Sequence, residues 1–270
     1  MEITAGRFAV LLERPQTEKF AWPILLLPEL FATHRHLSVI AGYLSTIGWT
    51  VYVPQFHSAA ALSGHSGYRF TDALVMVEEV LQALGSGAIV AGHGLGGLLA
   101  LKLAERPGVR AGVAFAPLVP GFRSPLFSRA RNFVALRRGL RLSPPSGRAL
   151  FEFVADADAF QRPQLIAALV RDSGAIAREV ARGEISFAQA GVAPRLIIAG
   201  GADIFAPREQ MVRFAAAVGA KLVMLDGRGH WLIGGRALER AIAETQRFLV
   251  QSLGRELLLL HQDGPGGSDA

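Results

Sequence analysis

Gly92-His93-Gly94-Leu95-Gly96 repeats the pattern G-x-S-x-G with its reactive atom missing. In that pattern a sharp strand-to-helix turn lifts a serine hydroxyl above a parallel sheet for nucleophilic attack. Gly94 stands at the serine position and has no side chain, so an acyl-serine route is closed at this residue. Two other residues could still move a proton. Asp203 follows the apolar run 194–201, and His230 follows the run 221–225. An imidazole oriented by a carboxylate makes a general base, and such a base needs only hydrogen-bond reach to the proton it removes.

These residues can act together only if the elements before them place them on one rim. Residues 88–91 read as a short buried strand and 95–105 as a helix rich in Gly, Ala and Leu, with Gly96 and Gly97 allowing close packing on the sheet. Further strands are expected at 8–12, 24–27, 50–54, 111–116, 196–199 and 222–225, alternating with helices at 36–47, 71–84, 209–217 and 237–253. Continuous apolar runs of this length suit parallel strands covered on both faces, so the sheet should be doubly wound. The stretch 119–190 is far longer than a simple strand-to-strand crossover, and 149–154, 163–170 and 175–181 have helical composition. The expected organisation is a core of 1–118 and 191–255, a helical cap at 119–190, and a glycine-rich, polar tail at 256–270 that is disordered.

In residue type, order and spacing, segments 89–117, 195–207 and 221–231 resemble the α/β-hydrolase family, and the resemblance covers nearly all of the chain. It implies an α/β fold with a doubly wound, mostly parallel sheet and a helical cap insertion. In that family nucleophile, acid and histidine follow in chain order at the carboxyl ends of strands. The resemblance thus makes Asp203 the acid that orients His230, His230 the general base, and Gly94 the vacant nucleophile position. It places His93 beneath the turn as a packing residue, and makes the backbone amides of Leu30 and Leu95 the oxyanion hole. The loop after strand 24–27 departs from the family: where His-Gly is usual, this chain has Pro28-Glu29-Leu30-Phe31. An ionised Glu29 aimed into the hole would oppose a developing oxyanion. Glu29 is therefore expected to face solvent or cap a helix, unless it does different chemistry. Glu29, Phe31, His34, Phe122, Phe127 and Trp231 are the candidates for the wall of a substrate pocket.

With 270 residues, 51% of them hydrophobic and 19% charged, the chain can bury one large core. No apolar run reaches the roughly 18 residues of a membrane span, and the N-terminus lacks the features of a signal peptide, so a cytoplasmic protein is expected. The absence of cysteine excludes disulfides, thiol nucleophiles and thiolate metal sites. His34, His36, His57 and His65 fall on loops that should share the rim of His230. No carboxylate cluster at ligand spacing accompanies them, so neither metal nor cofactor is expected. The net charge of +6 is uneven. Arg123, Arg129, Arg131, Arg137, Arg138, Arg141 and Arg148 crowd the first half of the cap, interleaved with Leu126, Phe127, Phe133, Val134 and Leu136 and with no acidic residue among them. This stretch is either a solvated surface or a basic amphipathic element that touches anionic lipid or an acidic substrate. No nucleic-acid motif accompanies it, and no nucleic-acid partner is expected.

Two functions remain open. One is an enzyme that keeps His230 and Asp203 as a general base without a covalent step, performing lysis, isomerisation or water-mediated hydrolysis on a small apolar molecule under the cap. The other is a catalytically inactive relative that binds a ligand or a partner. Glycine relieves the strained elbow, and a buried Asp–His pair persists because breaking it strands a polar group. A serine replaced by engineering is a third reading, although the altered Pro28-Glu29 loop argues against that as the only change. The retained pair favours the enzyme.

Overall fold

The computed structural model describes residues 1–56, 68–85, 87–127, 132–189 and 192–259. His57, His65, Arg129, Arg131 and residues 260–270 of the expected 256–270 tail lie outside the described residues; residues 256–259 are ordered, with Leu257 buried and its carbonyl accepting from the Ala21 amide at 2.9 Å.

β1 (Glu2–Ala5) and β2 (Phe8–Glu13) form an antiparallel hairpin at one edge of the sheet. β3 (Ile24–Leu27), α1 (Ser38–Thr46), β4 (Val51–Pro54) and α2 (Phe70–Leu84) follow, then β5 (Ala88–His93), α3 (Leu95–Leu103) and β6 (Val109–Phe115). The segment after β6 carries α4 (Phe133–Arg138), β7 (Arg141–Leu142), α5 (Arg148–Phe153), α6 (Arg162–Ala167), β8 (Asp172–Ser173) and α7 (Gly174–Arg182). The chain returns to the sheet through β9 (Arg195–Gly200), α8 (Arg208–Ala217), β10 (Lys221–Leu225) and α9 (Leu238–Leu253). The eight main strands lie in the order β1-β2-β4-β3-β5-β6-β9-β10, parallel from β4 onward.

The burial of each strand follows its place. Every residue of β3, β5 and β9 is buried, as strands covered on both faces require. β2 alternates between buried and half-buried positions, and the edge strand β10 is largely half-exposed. In α9 the buried residues Leu238, Ala241, Ile242, Thr245, Phe248 and Leu249 recur at helical spacing and form the stripe that packs on β6 and β9. α3 packs so closely that a Cβ on Gly96 would overlap the Leu27 carbonyl, while Gly97 lies against Gly92 and Ala114. That close approach joins the end of β3 to the start of α3, where the site is built.

The core strands and helices lie within a few residues of their expected positions. β1 and the two-residue ladder between β7 and β8 are additions, and the stretch expected as one helix from residue 36 opens with a 3-10 turn, His34–Leu37, before α1. No helix among the described residues is long and apolar enough to cross a membrane.

Candidate functional site

β5 ends at His93 and α3 begins at Leu95, so Gly94 alone makes the turn, with φ +50° and ψ −107°. Its amide donates to the Phe115 carbonyl at 2.9 Å, and the next amide but one, Gly96, donates to Pro28 at 3.0 Å. An L side chain in this conformation costs of order 1–3 kcal/mol, which glycine avoids. The space that a side chain would take is filled from elsewhere: a Cβ on Gly94 would coincide with the carboxylate of Glu29.

Glu29 is 2% exposed. Its Oε1 accepts from the Leu30 amide at 2.5 Å and the Leu95 amide at 2.9 Å. Its Oε2 lies 3.1 Å from His230 Nε2, and His230 Nδ1 lies 2.9 Å from Asp203 Oδ2. Asp203 Oδ1 accepts from the Phe205 amide at 2.7 Å. The expected amides of Leu30 and Leu95 do converge, but on a carboxylate of the same chain.

The expectation that Glu29 faces solvent is corrected, while the idea of a helix cap holds, because Leu95 opens α3. The physical reason lies in Gly94. Two convergent amides, one of them at a helix N-terminus, attract an anion. The missing Cβ leaves the carboxylate room to reach them.

His230 also differs from the free base expected of it. Burial opposes its charge, but the carboxylates of Asp203 and Glu29 outweigh burial and push it up to about 10. Burial pushes the Glu29 carboxyl above the usual carboxylate range, against the lowering effect of His230 and the Leu95 and Leu30 amides. His93 is held well below the usual histidine range, first by burial and then by the neighbouring His230. His230 Nε2 is thus engaged by the Glu29 carboxylate at 3.1 Å.

Aromatic rings close the site. Phe205, Phe153 and His93 stand 5.1, 5.4 and 4.7 Å from the His230 ring, centroid to centroid, and Trp231 packs on Phe153 and His93. Beside Glu29 lies a void of about 20 Å³, lined in part by Tyr68, Met76, Leu95 and Asp172. That is room for about one water.

The segment between β6 and β9 pins both loops of the site. Asp172 Oδ2 accepts from the Phe31 amide at 2.9 Å, its Oδ1 accepts from the Tyr68 hydroxyl at 2.9 Å, and the Val170 amide donates to the Phe31 carbonyl at 2.9 Å. These contacts hold Phe31 at φ +70°, in the left-handed region. Asp156 does the same for the histidine loop, accepting from the Gly229 amide at 2.5 Å and facing Arg228 and Arg236 at 3.6 and 3.4 Å. Sequence reasoning missed Asp172, Tyr68 and Asp156, since no motif marks a side chain that clamps a loop far along the chain.

The remaining pocket candidates do not share one pocket. Phe31 is a buried loop anchor and Trp231 a buried packing residue, while His34 and Phe122 are half-buried. Phe127 lines a separate, open groove of about 510 Å³ together with Arg123, Phe133, Leu136, Arg137 and Arg178. His36 Nδ1 accepts from the Thr33 amide at 3.0 Å and its Nε2 reaches the Leu165 carbonyl at 2.9 Å. The donor atoms of Glu29, His93 and His230, by contrast, all lie within 4.8 Å of one another.

The strand order, the elbow and the Asp203–His230 pair coincide with a match of residues 19–244 to the alpha/beta hydrolase family. The chain belongs to that family. A monoacylglycerol lipase from Paleococcus ferrophilus superposes on this hydrolase-family chain with a TM-score of 0.66 at 20% identity, over 90% of this chain and 99% of the lipase. A soluble variant of the monoglyceride lipase of Saccharomyces cerevisiae, in complex with a substrate analogue, gives 0.71 at 17% identity over 91% and 92%. Est1E from Butyrivibrio proteoclasticus gives 0.62 at 20% identity over 94% and 98%. At such identities the likeness shows the fold. No curated protein matches the chain significantly.

Proposed function

We propose that this hydrolase-family chain binds a small molecule and performs no acyl transfer, its former catalytic centre having become a closed structural network. The carrying observation is the placement of the Glu29 carboxylate. Acyl transfer needs an attacking atom, a base with a free lone pair and two amides open to an oxyanion. Glu29 overlies the first position, hydrogen-bonds the second and accepts from the third. Moving it aside would leave the Leu30 and Leu95 amides and His230 Nε2 without this partner, at a cost of about 1–3 kcal/mol for each unsatisfied group. This supports binding over general-base turnover.

The segment between β6 and β9 then serves as a cap whose groove receives the ligand. Phe127, Phe133 and Leu136 give the groove an apolar floor, and Arg123, Arg137 and Arg178 give it positive charge. No carboxylate lines it among the described residues. Such a surface suits an apolar molecule that carries an acidic group.

One observation favours a second reading, in which Glu29 is a carboxylate nucleophile: it stands where the nucleophile would, with one oxygen on both amides. Assays on activated esters, lactones and alkyl halides separate the two. The binding reading expects no turnover above buffer and no labelling by a serine-reactive phosphonate. Turnover that collapses in both Glu29→Gln and His230→Ala would replace it with the second.

A further inference from the structure

We propose that Glu29, His93 and His230 form a site for a divalent transition-metal ion of the zinc class. Glu29 Oε2 lies 3.1 Å from His230 Nε2 and 4.0 Å from His93 Nδ1. Donors around tetrahedral zinc, with bonds of about 2.0–2.1 Å, stand roughly 3.3 Å apart. Glu29 Oε2 and His230 Nε2 already stand near that spacing, while His93 Nδ1 must move in by about 0.7 Å toward Glu29 and by up to about 1.5 Å toward His230, all three atoms lying within 4.8 Å of one another. Gly94 makes this possible, because a Cβ there would fill the space that the carboxylate occupies.

His93 supplies the independent observation. Its ring is fully buried and its Nδ1 has no hydrogen-bond partner. Its Nε2 donates to the His230 carbonyl at 2.9 Å, which fixes the tautomer and turns the bare Nδ1 lone pair toward Glu29. A buried polar atom left in this way is costly unless something meets it. His230 is supported in the same manner, with Nδ1 on Asp203. An imidazole whose second nitrogen donates to a carbonyl or carboxylate is the usual arrangement around a bound metal.

Charge points the same way. Two buried carboxylates, Glu29 and Asp203, face one imidazole, and no Lys or Arg among the described residues pairs with either. A dication held between Glu29 and His230 balances the two carboxylates. The Glu29 oxygen on the two amides need not move. Two histidines and a carboxylate suit zinc and its neighbours and leave a coordination position open.

The site rests on the placement of Glu29, His93 and His230 and is independent of whether the groove binds a ligand. The test uses untagged, full-length protein. Metal content is measured after expression in zinc-supplemented medium, and chelator-treated protein is titrated with Co²⁺. Near one equivalent of metal per chain is expected, with the visible absorption of tetrahedral Co²⁺. Glu29→Gln and His93→Gln should each weaken Co²⁺ binding by about 100-fold or more, and Asp203→Asn by about 10–100-fold, with circular dichroism unchanged. Should His93→Gln not fold, the isosteric Glu29→Gln decides among the variants. Wild-type protein that holds well under one equivalent by both routes, or variants that keep their metal, would overturn the proposal.

Discussion

At the scale of single residues, Gly94 and Glu29 are one feature seen from two places in the chain. A serine at 94 would place its Cβ on the Glu29 carboxylate. Gly94→Ser alone is therefore expected to lose about 1–3 kcal/mol from backbone strain, and more from displacing a buried carboxylate. It should show no esterase activity. In Gly94→Ser with Glu29→Gly the carboxylate is gone, His230 can accept the serine proton, and the Leu30 and Leu95 amides are free. Hydrolysis of p-nitrophenyl acetate should then rise above buffer, since hole and binding alone supply about 10³–10⁴-fold over water. An inactive but folded double variant would show that these amides do not form a working hole. Gly94, Asp203 and His230 were legible because motif and chain order mark them. The direction of Glu29 was not, because it depends on an absent Cβ and on an amide 66 positions away.

At the scale of elements, the segment between β6 and β9 both closes the site and carries the open groove. Asp172 joins the loop after β3 to Tyr68 and to its own segment, and it is buried. Asp172→Ala should lower stability by about 2 kcal/mol, read from urea denaturation, and should speed exchange of the Phe31 amide. An exchange rate equal to the parent's would mean that the Val170 contact suffices to hold the loop. The groove gives a second expectation. Dodecanoate should bind there, more weakly as salt rises, and Arg123→Gln with Arg137→Gln should abolish binding. Dodecanol should bind less well than dodecanoate in the parent. Equal affinity for the two, or no salt dependence, would remove the arginines from recognition. Helix and strand positions were legible here from period and apolar runs. That Phe127 and Arg178 would line one groove was not, since α7 and the 3-10 turn Pro125–Phe127 carry no mutual signal in sequence.

At the scale of the whole molecule, the two parts of the core meet across the pairing of β6 with β9, where the chain returns after its long excursion. Arg195 opens β9 with its side chain fully buried, donating to the carbonyls of Leu101, Ala188 and Val218 and to Glu105 at 2.9 Å. Nothing in the apolar run 194–201 announced that its arginine would tie four segments together. Glu105 also accepts from Lys102 at 2.6 Å and from the Ala188 amide at 2.8 Å. Burial raises its carboxyl, but the Lys102 and Ala188 hydrogen bonds and the charges of Lys102 and Arg195 outweigh it and hold it below the usual range. A carboxyl depressed by folding contributes stability that is present above its unfolded value near 4.5 and lost as pH falls through its folded value. Glu105→Gln should thus cost about 2 kcal/mol at pH 7, where Arg195 is left buried with its charge unmatched. The cost should shrink as the parent is taken to acid pH, so that the two urea midpoints converge below that window. A gap that stays constant from pH 7 into acid would show that Glu105 acts through packing and not through its charge.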